Sequence, residues 1–345
     1  MHMSDALISP QVGLSMWAVA AGLIGLSARK VGNDVDNRKV PMMGVMAAFV
    51  FAAQMINFSI PGTGSSGHIG GGMLLAILLG PYAAFLVMAS ILTVQALFFA
   101  DGGLLALGCN IINLGLFPCF IAYPLIYKRI VGEKAGNAAI MAGAIIASVV
   151  GLQLGALGVV IETVLSGISE LPFRLFLYMM MPIHLAIGVV EGVATALVVT
   201  FVRTVHPEIA GSAAKQVSAA PGAMAKTIII LLTVAALTGG IVSWFASGDP
   251  DGLEWSIAKV TGNEEVENVS RIHKRLGDVQ NRTSILPDYA FRESGDEETG
   301  AAQAGHGWPD INTGTSVSGL VGASITVMAV LLIGMVLKRL KRRTS

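Results

Sequence analysis

The most constraining feature is a series of long apolar stretches. A helix needs about 20 predominantly apolar residues to cross the hydrocarbon core of a bilayer. The chain offers apolar segments at 11–28, 41–58, 69–80, 82–99, 104–127, 137–165, 174–202, 227–246 and 317–337. Only 13% of residues are charged and 54% are hydrophobic, whereas soluble domains carry roughly 25% charge. The 41 glycines suit helices whose backbones approach closely in lipid. The fold class expected is an all-α integral membrane protein with about nine segments. The third, glycine-rich and closed by Gly80-Pro81, is short for a full crossing.

Basic residues set the orientation. Arg29, Lys30, Arg38 and Lys39 follow the first segment; Lys128, Arg129 and Lys134 follow the fifth. Arg203, Lys215 and Lys226 follow the seventh, and Lys338, Arg339, Lys341, Arg342 and Arg343 close the chain. With these on the cytoplasmic side, loops 59–68, 100–103, 166–173 and 247–316 face outward, as does the amino terminus. The carboxy terminus is then cytoplasmic. No Lys or Arg precedes Arg29, unlike a secretory signal, so the amino terminus is expected to be retained.

Two composition shifts divide the chain. Residues 1–205 form one module, 206–226 a small, polar cytoplasmic linker, and 227–345 a second module with two helices flanking outer loop 247–316. Within that loop, 264–276 has the spacing of an amphipathic helix, with Val266, Val269, Ile272 and Leu276 on one face. There is no internal repeat to suggest an inverted-repeat transporter. Zero net charge argues against nucleic acid as a partner. No P-loop, HExxH helix or Ser/His/Asp arrangement is present, so the chain is not read as an enzyme and cannot supply ATP hydrolysis through a P-loop. Cys109 and Cys119 lack CxxC spacing.

The opening Met1-His2 can chelate a metal. The α-amine, the His2 backbone nitrogen and the His2 Nδ1 form two fused rings around one ion. Ni²⁺ and Cu²⁺ can displace the amide proton, and planar nitrogen coordination suits them. The fourth corner falls to His68, in the glycine-rich run 61–72 on the same outer side by charge distribution. Hydroxyls of that run, and Asp5 near His2, are candidates to orient the imidazoles.

Several motifs carry a resemblance: the opening MHMSDALISP, FAAQMINFSIPGTGSSGHIGGG at 51–72, and GPYAAFLVMASILTVQALFFADGGLLALGCNIINLG at 80–115. With these the first two-thirds of the chain resembles the CbiM/NikM family, substrate-capture (S) components of energy-coupling factor transporters for cobalt and nickel. Pro250-Asp-Gly-Leu-Glu254 matches the PDGLE signature of the companion N component, so the whole resembles a fused NikMN-type chain. The resemblance implies Met1, His2 and His68 as metal ligands, although this chain has GTGSSGH where many members have GGTSGH. It also implies Ni²⁺ as cargo with Co²⁺ as the alternative, and a separate T component and ATP-binding A subunits as partners. A metal channel or secondary transporter working without ATP is the rival mechanism.

Other polar residues lie within the spans. Gln95, Asn110 and Asn113 match polar positions of the family motifs and serve either interhelical bonding or support of the site. Glu162 and Glu191 are expected to pair with Arg174, His184 or a backbone group. His206, His273 and His306 sit in polar connections and are expected to be solvated.

Overall fold

The structure, a computed structural model, describes residues 2–34, 39–132, 135–169, 171–205, 223–263, 270–292 and 308–344. The chain is a mostly helical, multi-pass membrane protein. Its elements in order are α1 (Pro10–Asp34), α2 (Lys39–Gln54), the antiparallel hairpin β1 (Phe58–Ile60) and β2 (Ser65–Gly67), α3 (Gly72–Leu79), α4 (Pro81–Phe99), α5 (Leu107–Ile130), α6 (Asn137–Ser166) and α7 (Phe173–Val205). There follow α8 (Ala223–Gly240), the shorter helices α9 (Gly252–Thr261) and α10 (Arg271–Thr283), and α11 (Thr313–Thr344). Among the described residues, six helices are long and apolar enough to cross a membrane: α1, α4, α5, α6, α7 and α11. α2 and α8 are shorter apolar helices.

Small residues set the packing. Where α6 and α7 cross, a Cβ added at Gly188 would lie 2.8 Å from the Val149 Cα, and one at Gly192 would collide with Ile145. α8 and α11 flank α2, and Gly239 meets Gly319 backbone to backbone. Gly322 admits Phe51, and Gly44 faces Val327 and Leu331. In lipid such close approach drives helix association through dispersion. The described part of Ala18, Ala21, Gly22 and Gly25 on α1 faces outward, with nothing within 4 Å of a Cβ at Gly22 or Gly25.

Three expectations change here. The segment at 69–80 yields only the eight-residue α3, because left-handed Gly71 begins it and Gly80-Pro81 ends it. An all-α chain gains a short β-hairpin at 58–67. The amphipathic helix expected at 264–276 runs on to Thr283; its described residues begin at Arg271, where Ser270 caps it by accepting from the His273 N–H. Val266 and Val269 lie outside the described residues; Ile272 is exposed, and the buried residue of α10 is His273.

Candidate metal centre

The amino-terminal residues are fixed by the start of α5 and the connection before it. The Asn110 side chain accepts from the Met3 N–H at 2.8 Å and donates to the Met3 carbonyl at 3.2 Å, while Gly103 N–H donates to that carbonyl at 2.9 Å. Asp5 Oδ1 accepts from the amides of Leu105 and Ala106 at 2.7 and 3.0 Å, at the entry to α5. The Met3 backbone and the Asp5 carboxylate thus gain partners that a frayed terminus lacks. Gly102 has φ +82°, a left-handed conformation, and a Cβ there would sit 2.9 Å from Asn110 Nδ2. A side chain at that position would push Asn110 off Met3.

His2 and His68 come together. Their rings stack with centroids 5.2 Å apart and planes 19° from parallel. His2 Nδ1 lies 2.9 Å from Asp101 Oδ1, and His2 Nε2 is buried without a hydrogen-bond partner among the described residues. Because the Ile69 carbonyl can only accept, the 3.1 Å contact assigns the proton of His68 to Nδ1 and leaves Nε2 as the lone-pair nitrogen. The fused-ring expectation uses His2 Nδ1, the atom that faces Asp101. Met1 lies outside the described residues.

Asp101 itself accepts from the Tyr289 hydroxyl at 2.6 Å. Burial would raise its pKa, but the His2 imidazole, through charge and hydrogen bond, and the Tyr289 hydroxyl bring it down to about 2. Burial foremost, with His2 adding to it, lowers the pKa of His68 from 6.5 to about 4. Between those two values the unfolded chain takes up a proton that folded His68 refuses. Stability contributed by neutral His68 is therefore full above about pH 6.5 and declines as pH falls toward 4. Without added metal, thermal midpoints should drop across that window, and His68→Gln should flatten the decline. An unchanged slope in the variant would assign the effect to other groups.

The carboxy-terminal module closes over this centre. Ser66 N–H donates to the Pro250 carbonyl at 2.8 Å, Ser66 Oγ donates to the Asp249 carbonyl at 2.7 Å, and Trp255 Nε1 donates to the Thr63 carbonyl at 3.0 Å. The Pro250–Glu254 motif has a physical account residue by residue. Asp251 Oδ1 accepts from the amides of Leu253 and Glu254, and Glu254 accepts from the Asp251 N–H, a reciprocal cap that starts α9. Gly252 lets α9 lie against α7, because a Cβ there would be 2.6 Å from Ile183 Cγ2; Leu253 is buried. Farther along, His273 Nε2 donates to the Ile8 carbonyl at 2.9 Å, and Gln280 donates to the carbonyls of Ala96 and Gly102. Together with Tyr289, the segment between α8 and α11 thus grips both the His68 hairpin and the chain around His2.

The first part of the sequence, residues 2–209, matches the family described as the cobalt uptake substrate-specific transmembrane region, CbiM. The chain belongs to the CbiM family. Residues 225–339 match the PDGLE domain, so a CbiM region and a PDGLE domain are fused in one NikMN-like chain. A protein of Archaeoglobus fulgidus, provisionally named a fused nickel transport protein NikMN, is 35% identical over 66% of this chain and 72% of its own. The cobalt transport protein CbiM of Geobacter sulfurreducens is 29% identical over 70% and 71% of the two chains. The crystal structure of a truncated transition metal transporter, 33% identical, superposes with a TM-score of 0.53 over 59% of this chain and 99% of that one.

Within the CbiM region several polar assignments change. Asp5 does not touch His2 but binds α5; the carboxylate on His2 is Asp101, within the 100–103 connection. The hydroxyls of 61–72 are used on the PDGLE domain and within the hairpin, and His68 is oriented by a backbone carbonyl. Glu191 accepts from the Gly70 N–H at 2.7 Å, the backbone pairing expected, whereas Glu162 accepts from Asn113 instead of Arg174 or His184. Gln95 donates to Gln54, which donates to the Gly70 carbonyl, so both glutamines brace the connection between His68 and α3. His273 is 2% exposed, contrary to the solvated reading, because it anchors the PDGLE domain to Ile8. His206 and His306 lie outside the described residues.

Proposed function

We propose that this chain is the substrate-capture component of an ATP-driven energy-coupling factor transporter that imports Ni²⁺ across the cytoplasmic membrane, Co²⁺ being the alternative cargo. The observation that carries the reading is the stacking of His2 on His68, residues far apart in sequence. Among the described residues no three His, Cys, Asp or Glu side chains gather to hold an ion. That favours a donor set completed by non-side-chain nitrogens: the α-amine of Met1 and the backbone nitrogen of His2, with the imidazoles of His2 and His68. Four nitrogens in a plane suit Ni²⁺, and relatives are named for nickel and for cobalt transport. Capture then exchanges Asp101 for metal at His2 Nδ1, and the protons given up by the α-amine and the His2 amide pass to solvent. The amino terminus and the PDGLE outer segment face outward. A T component and ATP-binding A subunits on separate chains supply the movement that releases metal inward.

The terminal amine is tested by leaving one extra glycine ahead of Met1 after cleavage of a tag. High-affinity Ni²⁺ binding, read by equilibrium dialysis of the purified chain, should vanish while the thermal midpoint stays put. Native affinity in the extended chain would exclude the amine as a ligand.

A further inference from the structure

Below His68, two small cavities follow one another into the helix bundle and share Gly70, Leu114 and Leu152 in their walls. The upper has a volume of about 10 Å³, room for about one water-sized body, and is also lined by His68, His184, Asp251 and Gly252. The lower, also about 10 Å³, is lined by Asn113, Ser148 and Glu191 among others. Three polar atoms on these walls, His184 Nε2, Ser148 Oγ and Asn113 Oδ1, have no hydrogen-bond partner among the described residues. More than about 90% of buried polar groups are partnered in folded proteins. Three orphans around two adjoining cavities call for a ligand.

His184 is the most informative of them. It projects from the middle of α7, is 1% exposed, and contacts the Met180 carbonyl through Nδ1 at 2.8 Å. A carbonyl only accepts, so Nδ1 carries the proton and Nε2 presents a bare lone pair. A ring N–H bound to a backbone carbonyl is the arrangement that orients metal-ligating histidines. His68, on the same cavity, has the same arrangement with Ile69. Gly252 keeps the space open, since a Cβ there would lie 3.2 Å from His184 Cε1. Glu191, by contrast, is engaged by the Gly70 amide and serves as a brace for the floor.

The geometry points to a second, inner metal station formed by His184 Nε2 with His68, distinct from the amino-terminal chelate. The class of ligand is a late first-row divalent cation, for which imidazole is a good donor, water completing its shell. Ca²⁺ and Mg²⁺, which call for oxygen ligands, are poor candidates. The cation keeps His68, exchanges the terminal nitrogens for His184, and meets Ser148 Oγ and Asn113 Oδ1 in the lower cavity. With two side chains instead of four nitrogens, this station holds metal weakly and exchanges it readily. The hand-over rests on the reading of the outer site given above; the existence of the inner station does not.

Both stations use the single lone pair of His68, so the chain holds one ion at a time. Equilibrium dialysis of the full chain against Co²⁺ and Ni²⁺ tests the inner station. The native chain should bind one tight equivalent, and the chain with one extra residue ahead of Met1 should bind one weak equivalent instead. His184→Gln should keep the tight equivalent of the native chain, at an unchanged thermal midpoint, and lose the weak equivalent of the extended chain. If the extension spares the tight equivalent, the amino-terminal chelate is wrong, and the inner station then stands only if His184→Gln removes that equivalent. Crystals of the extended chain soaked in millimolar Co²⁺ should show an anomalous peak within bonding reach of His184 Nε2, whether or not the variant folds. Absence of a weak equivalent from the extended chain, its survival there in His184→Gln, or soaked crystals without that peak would each overturn the inner station.

Discussion

His68→Ala should abolish tight Ni²⁺ capture, lowering affinity by well over about 100-fold, the upper end of what losing a partner that merely orients a ligand costs. The argument is one of donors. Among the described residues only His2 and His68 bring imidazoles face to face at the outer end of the bundle. Removing one leaves the amino-terminal nitrogens to bind alone, as in a short peptide. The fold should survive, because the His68 ring bonds only to the neighbouring Ile69 carbonyl, and the hairpin is held by Ser66 and Trp255. Asp101→Asn provides a graded companion, since it keeps a polar group on His2 but lacks the negative charge. It should weaken capture by about 10–100-fold. Isothermal titration of the purified variants, beside their melting curves, separates loss of ligand from loss of fold. Native affinity in His68→Ala would remove it from the site.

Gly188→Leu should prevent the chain from accumulating as a folded protein. At this position a single Cβ already reaches 2.8 Å from the Val149 Cα, and 3.2 Å from the Val149 side chain. Backbone cannot yield as a flexible side-chain tip does, so α6 and α7 must separate. Overpacking typically costs about 1–3 kcal/mol, and a leucine wedged against a main chain falls at or beyond the upper end. Gly22→Leu on α1 is the control, because nothing lies within 4 Å of a Cβ there. Size-exclusion profiles and melting curves in detergent check both. A Gly188→Leu chain as stable as Gly22→Leu would show that the α6–α7 crossing does not depend on the missing side chain.

The spans were legible in the sequence because backbone satisfaction in lipid forces long apolar runs into helices. α2 and α3 show where that signal weakens: α2 is shorter than a full crossing, and the glycines around α3 set its length by conformation and not by hydropathy. His2 and His68 stood out as chemistry-bearing residues, but nothing in their spacing could indicate ring stacking. Asp101 was invisible as the partner of His2 because the contact depends on Asn110, Asp5 and Gly103 drawing the first residues onto α5. Tyr289 and His273 were hidden for a related reason. They lie in a polar loop, where composition argues for solvent, and become buried (His273) or half-buried (Tyr289) only when that loop folds back on the other module. The sequence offers His184 on α7 only as a partner for Glu162 or Glu191; its bare nitrogen emerges from the bond its other nitrogen makes to Met180.

The fold-back has a consequence for how such a machine is regulated. A clasp translated on the same polypeptide as the cradle it closes is present at a local concentration set by its tether, in the millimolar range for short flexible connections. Closing is then a first-order event, indifferent to how many copies the cell makes. A free outer segment supplied separately would have to reach comparable concentration before it displaced the resident one.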